Sequence, residues 1–126
     1  MLFDTEIERF SKADDCYVSP YYQDEKTLGT PTWIWSVVVE RDIYIRAWNG
    51  QNSRWFKSAL SQGNGQIQID GQKYAVNFTY IDASTEQSLI HKIDKAYKAK
   101  YQDSVYMPPM IAEGPQNATL RVIIQR

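Results

Sequence analysis

Alternating apolar and polar positions predict two β-hairpins in this chain. Residues 32–39 are rich in β-branched and aromatic side chains and contain two tryptophans two positions apart, the spacing that places both on one strand face. A tight turn at residues 40–42 leads into residues 43–48. One face of that second strand carries Ile43, Ile45 and Ala47, and the other carries Tyr44, Arg46 and Trp48.

The second hairpin is predicted from residues 66–70 and 73–81, which alternate around Asp70-Gly71. This dipeptide is a strong signal for a two-residue turn, so Gly71 is expected at positive φ. Residues 16–22 are β-prone but contain Pro20, which is typical of a sheet edge or a strand that breaks there. Residues 118–125 alternate well enough for a final strand.

Helical signals separate these strands. Thr5 and Glu8 have the spacing of a capping box, which predicts a short helix to about residue 11. Ser53 is a predicted cap for a two-turn helix that ends near Gly63. A second capping-box pattern at residues 84–87 opens the main predicted helix, residues 84–101, and residues 102–116 are predicted to be a loop.

These elements predict a single domain over residues 1–126 that is mainly β. Six strands dominated by adjacent hairpins, with one long helix and one or two short ones, favour a small antiparallel barrel with helices against its outside or ends. An open α+β sandwich is the alternative.

Composition indicates a globular protein and gives no sign of a membrane, metal-binding or nucleic-acid-binding protein. The 126 residues are 43% hydrophobic and 13% aromatic, which is enough for a packed core. No apolar run is long enough to cross a bilayer and the first residues are acidic, so a soluble, cytoplasmic protein is expected. One cysteine and one histidine predict no structural metal. The net charge of -1 gives no general reason to bind nucleic acid or membranes.

Charge is uneven along the chain. Residues 43–69 contain Arg46, Arg54 and Lys57 but no acid, and they include the predicted helix start at Asn52-Ser53. Unpaired N–H groups at a helix start suit a phosphate or carboxylate, so an anion site is predicted here. The alternative is that these cations are solvated, or pair with acids elsewhere in the fold or in a partner subunit.

Aromatic residues offer a second candidate feature. An apolar wall for a planar ring such as an isoalloxazine is one role suited to the four tryptophans, Trp33, Trp35, Trp48 and Trp55. They are equally suited to a core or a dimer interface. His91 is expected to be solvated and Cys16 to be an inert core thiol. No set of serine, histidine and acid residues for hydrolysis can be assembled.

Several stretches resemble an uncharacterised bacterial family grouped with the FMN-binding split-barrel superfamily and, more distantly, the deazaflavin-dependent reductases. The likeness is carried by residues 32–38 (TWIWSVV), 44–50 (YIRAWNG), 53–57 (SRWFK) with Ala59 and Leu60, 93–101 (IDKAYKAKY) and 118–121 (ATLR).

This resemblance implies a six-stranded split barrel, a homodimer, and FMN or a deazaflavin used for a redox reaction. The predicted cofactor-binding residues are Arg46, Trp48, Asn49, Ser53, Arg54, Trp55 and Lys57. Residues 24–30 depart from the pattern, since they offer one lysine beside two acids where phosphorylated cofactors usually meet a basic loop. The alternatives are a cofactor-free barrel that binds small molecules or a protein partner, and a protein that binds single-stranded nucleic acid.

Overall fold

The computed structural model describes all residues, 1–126, and contains seven strands, five α-helices and one short 3₁₀ helix. The strands are β1 (Cys16–Pro20), β2 (Thr32–Ile34), β3 (Ser36–Val39), β4 (Asp42–Arg46), β5 (Asn64–Ile69), β6 (Gln72–Ile81) and β7 (Thr119–Ile124). The helices are α1 (Asp4–Lys12), α2 (Arg54–Gln62), α3 (Gln87–Lys100), α4 (Met107–Met110) and α5 (Glu113–Gln116), and the 3₁₀ helix is Gly50–Asn52.

The seven strands form one antiparallel sheet in the order β2-β1-β5-β6-β7-β4-β3. Its two end strands, β2 and β3, are consecutive in the chain and are separated by Trp35 alone. The sheet must therefore curve until its ends meet, which produces a nearly closed barrel. This architecture confirms the predicted mainly β, antiparallel barrel and is compatible with a split barrel.

One predicted strand is two strands in the structure. Residues 32–39 were expected to be continuous, but the chain changes partners at Trp35: β2 pairs with β1, whereas β3 pairs with β4. The barrel consequently has seven strands rather than six. We call the junction at Trp35 and Ser36 the seam.

The last turns of α3 hold the seam through side chains. The Tyr97 hydroxyl donates to the Trp35 carbonyl over 3.2 Å, and the Tyr101 hydroxyl donates to the Ser36 carbonyl over 3.2 Å. Lys100 Nζ donates to the Ser36 carbonyl at 2.7 Å and to the Ala13 carbonyl, just beyond α1, at 2.6 Å. Side chains thus replace the ladder hydrogen bonds that the strand break leaves open.

The second hairpin is confirmed. β5 and β6 pair around Asp70 and Gly71, which have φ of 53° and 75°. Asp15 accepts hydrogen bonds from both backbone N–H groups of this turn, at 2.8 and 3.0 Å. Asp15 therefore fixes a turn that lies 55 residues away in sequence.

The two faces of β4 serve two cores, as the alternation predicts. Ile43, Ile45 and Ala47 belong to the barrel interior, which α1 and α2 close with Phe10 and Phe56. Tyr44 lies on the outer side, in a smaller apolar cluster between the barrel and α3. Arg46 is buried on that same side of β4.

Helix starts differ from their predicted positions. α1 begins at Asp4, and its capping contact runs from Glu6 to the Phe3 backbone N–H at 2.9 Å, not between Thr5 and Glu8. Glu6 also forms an ion pair with Arg126, which holds the Glu6 carboxylate beside the start of α1.

α3 begins at Gln87 rather than residue 84, because Asp82 accepts from the Ser84 backbone and hydroxyl and holds residues 82–86 as a turn. The predicted loop of residues 102–116 contains α4 and α5. None of the helices is both long and apolar enough to cross a bilayer.

Candidate functional site

All four tryptophans of the chain line one cavity of about 540 Å³. We call it the tryptophan cavity. Its lining residues come from β2, the seam, the chain after β4, the start of α2 and the segment around α4: Thr32, Trp33, Ile34, Trp35, Arg46, Trp48, Asn49, Ser53, Trp55, Ser104, Tyr106 and Met110.

Two of the tryptophans are held by contacts from outside the cavity. Trp33 on β2 is 55% exposed, and its indole Nε1 donates to the Asp14 carbonyl at 2.8 Å. Trp35 lies at the seam and stacks on Tyr101, with ring centroids 4.0 Å apart and planes inclined by 2°. Both rings are therefore fixed in orientation before any ligand binds.

The other two tryptophans come from the chain after β4 and from α2. Trp48 follows β4, is 47% exposed and meets Tyr106 edge to face with centroids 6.3 Å apart. Trp55, in the first turn of α2, is partly buried and contacts Phe56 of the barrel interior edge to face at 6.2 Å. The mouth of the cavity is thus lined by exposed aromatic rings.

Polar groups with unused hydrogen-bonding capacity lie among these rings. Ser53 occupies the cap position of α2, as predicted, but its hydroxyl makes no capping hydrogen bond. Asn49 and Ser104 also line the cavity. An apolar cavity of this size with a few polar groups matches the usual character of a small-molecule site.

Arg46, predicted as an anion-binding residue, is fully buried and bonded within the protein. Its Nη1 contacts Asp94 Oδ1 at 2.5 Å and the Met110 carbonyl at 3.2 Å, its Nε donates to Thr119 Oγ1 at 3.0 Å, and its Nη2 donates to the Ile90 carbonyl at 3.4 Å. These bonds use four of the five guanidinium N–H groups. Asp94 compensates its charge, so Arg46 supplies the cavity with a neutral ion pair and not a free cation.

An ion pair with an acid elsewhere in the fold was the alternative to an anion site at residues 43–69. Arg46 forms such a pair with Asp94. Asp94 lies on α3, and its second oxygen accepts from Gln116 Nε2 at 2.9 Å. Residues 43–69 contain no acid, but the fold brings one from a distant element to Arg46. No local pattern identifies Asp94, because only the packing of α3 on the barrel brings the two residues together.

A second cavity of about 500 Å³ lies on the other side of Trp55. We call it the basic groove. It is lined by residues of α2 and of the segment that leads into β2: Pro20, Tyr22, Gly29, Thr30, Thr32, Arg54, Trp55, Lys57 and Ser58. Arg54 and Lys57, both predicted as binding residues, therefore lie apart from Arg46. Thr32 and Trp55 line both cavities, so the two cavities are adjacent.

Sequence reasoning missed several lining residues. Tyr106 and Met110 belong to a segment that was predicted to be a loop, and only the position of α4 reveals that they face the tryptophans. Gly29 and Thr30 were interpreted only as part of a polar connector. A small residue beside a hydroxyl, in the segment before a strand, could have indicated that this segment lines a binding site.

The remaining titratable groups offer no catalytic set. Cys16 is buried, as predicted, and burial raises the pKa of its thiol to about 12. Burial lowers the pKa of Lys100, at the seam, to about 8. His91 is exposed on α3. No three His, Cys, Asp or Glu side chains lie close enough together to hold a metal ion.

Comparison with known families gives a match over most of the chain. The model of a family described as an uncharacterized protein conserved in bacteria (DUF2255) matches residues 6–122. No curated protein matches the chain in sequence.

Proposed function

The chain belongs to this bacterial family, DUF2255, and we propose that it binds a planar heterocyclic redox cofactor, FMN or a deazaflavin, in the tryptophan cavity. The single observation that carries the proposal is the convergence of all four tryptophans on one cavity. Tryptophans used only as core would be distributed through the barrel interior, yet two of these are about half exposed around an opening.

The residues present fit such a ring. Trp33, Trp48 and Trp55 offer flat apolar surfaces from different elements, and offset stacking on such surfaces is favourable for a planar ligand. The Ser53 hydroxyl and the Asn49 amide are suited to the hydrogen-bonding edge of a heterocycle. When bound, the cofactor would supply the hydride or electron chemistry, which accounts for a site that is rich in aromatic residues and has no cysteine, histidine or carboxylate in its lining.

The protein's own contribution would be binding and orientation. The stack of Trp35 on Tyr101 fixes one aromatic ring of the lining, and Asp94 compensates the charge of Arg46, which also lines the cavity. Exclusion of water from such a cavity strengthens each remaining hydrogen bond to the ring.

Intrinsic fluorescence tests the proposal directly, because every tryptophan of the chain lines the cavity. Titration with FMN, riboflavin and a deazaflavin should quench most of the emission with micromolar or tighter affinity, and mass spectrometry should identify any chromophore that co-purifies. Trp48→Leu should weaken ring binding, whereas Leu60→Ala, an exposed position outside both cavities, should not. Absence of quenching by all three compounds would overturn the proposal.

A cofactor-free module is the second candidate, favoured by the exposed aromatic residues at the mouth. Trp33, Trp48 and Tyr106 are 55%, 47% and 60% exposed, and adjacent exposed rings are typical of interaction surfaces. We propose that a second copy of the chain covers them in a homodimer. Light scattering at micromolar concentration should give the dimer mass, and Tyr106→Lys should give the monomer.

A further inference from the structure

We propose that the basic groove is an anion site, which holds the negatively charged arm of a ligand whose ring occupies the tryptophan cavity. The inference rests on the proposed function for the ring and extends it by naming the ligand class: an aromatic heterocycle with a phosphate or carboxylate arm. The charges around α2 and the adjacency of the two cavities support this assignment.

Arg54 is the one arginine of the chain without a carboxylate partner. The other five form ion pairs: Arg9 with Asp70, Arg41 with Asp4, Arg46 with Asp94, Arg121 with Asp42, and Arg126 with Glu6. Lys57, three positions after Arg54, has no ion-pair partner either, and no Asp or Glu lines the groove. Two cations on one helix therefore face a cavity that contains no counter-charge from the protein.

Hydroxyl groups complete the chemistry that an oxyanion requires. Thr30 and Ser58 line the groove, and their hydroxyls have no hydrogen-bond partner within the protein. A phosphate or carboxylate accepts several hydrogen bonds at once, and a guanidinium can donate two of them in parallel. Arg54, Lys57 and the hydroxyls of Thr30 and Ser58 supply donors from both sides of the groove.

The connection between the cavities gives the ligand its shape. Thr32 and Trp55 line both cavities, so an arm that leaves the ring passes Trp55 to reach Arg54. Arg46 is excluded as the anchor for the arm, because it is fully buried and its charge is compensated by Asp94. The anion site therefore lies in the neighbouring cavity, which shares Thr32 and Trp55 with the ring site.

FMN and riboflavin provide the experiment, since they share the ring and differ by one phosphate. Native protein should bind FMN about 10- to 100-fold more tightly than riboflavin, the range expected for charge-assisted hydrogen bonds. Arg54→Gln and Lys57→Gln should each reduce this ratio, with riboflavin affinity unchanged. Lys95→Gln, at an exposed and unpaired lysine of α3 outside both cavities, is the matched control and should behave as the native protein.

The failures of the two proposals are distinguishable. Equal affinity for FMN and riboflavin, unaffected by Arg54→Gln, would overturn the anion site and leave ring binding intact. If neither flavin binds, titration with inorganic pyrophosphate decides the matter: chemical-shift changes at residues 54–58 that disappear in Arg54→Gln would support the site. Absence of those changes at millimolar pyrophosphate would overturn it.

Discussion

Arg46 and Asp94 form an ion pair inside the protein, with 2.5 Å between Nη1 and Oδ1, although they are 48 positions apart in the chain. The arginine side chain is fully buried and the aspartate side chain is 16% exposed. The pair joins β4 to α3, and Arg46 is one of the residues that line the tryptophan cavity. A buried ion pair of this kind holds Arg46 in place and does not leave its charge free to bind a ligand.

Breaking this pair should destabilise the protein strongly. Asp94→Asn leaves the Arg46 cation buried without compensation, so the free energy of unfolding should fall by about 3–5 kcal/mol. Urea denaturation would measure the loss. The double variant Arg46→Met/Asp94→Leu should lose much less than the sum of its single variants, because it removes both charges. A loss below about 1 kcal/mol in Asp94→Asn would contradict the assigned burial.

Gly71 should tolerate substitution poorly for conformational reasons alone. Its φ is 75°, and a Cβ built there meets no atom within 4 Å, so no steric clash contributes. Gly71→Val should therefore cost more than about 1 kcal/mol, through the left-handed backbone. Gly71→Asn is the matched control: asparagine enters the left-handed region more readily than other side chains, so it should lower the melting temperature clearly less than Gly71→Val.

Cys16 should make stability fall at alkaline pH. The thiol has a pKa of about 12 in the folded protein against 9.0 as its ordinary value, so above pH 9 the unfolded chain releases a proton that the folded chain retains. Its contribution is fully present below pH 9 and is lost as pH rises towards 12.

Comparison with Cys16→Ala isolates this contribution. The difference in unfolding free energy between native protein and variant should shrink as pH rises above 9. Burial also raises the pKa of the tyrosines at the seam, Tyr97 and Tyr101, but both remain in the two proteins being compared. A difference that stays constant from pH 7 to beyond 9 would show that the thiol is accessible.

Tyr101 should contribute to the seam through its hydroxyl and to the cavity through its ring. Tyr101→Phe removes the bonds to the Ser36 backbone and should cost about 1–2 kcal/mol in urea denaturation while ligand affinity is kept. Tyr101→Leu also removes the stack on Trp35, so it should weaken ring binding as well. Equal ligand affinity in the two variants would show that Trp35 is positioned by other contacts.

Local patterns predicted most of the elements. The alternation around Asp70-Gly71, the two faces of β4 and the end of α2 at Gly63 follow from side-chain period and turn chemistry, which act over a few residues. The break at Trp35 did not follow, because residues on both sides of it favour strands equally. What ends β2 is the change of pairing partner, a property of barrel closure.

The sequence predicted which residues line the candidate site better than it predicted that they line two separate cavities. Alternation places Arg46 and Trp48 on one side of a strand, and both line the tryptophan cavity. Arg54, only eight residues later, lies across Trp55 in the other cavity. Whether a cation is free depends on acids brought from distant elements, here Asp94 of α3, and that information is tertiary.

The seam also has a consequence for the behaviour of the protein at high concentration. A sheet with unpaired end strands invites strand addition between molecules, the first step of edge-to-edge aggregation. Here the Tyr97 hydroxyl donates to the Trp35 carbonyl and the Tyr101 hydroxyl donates to the Ser36 carbonyl. The Ser36 N–H in turn donates to the Tyr101 hydroxyl at 3.3 Å. An incoming strand would have to displace the end of α3 before it found a free backbone group at this junction, so the helix blocks strand addition at the seam.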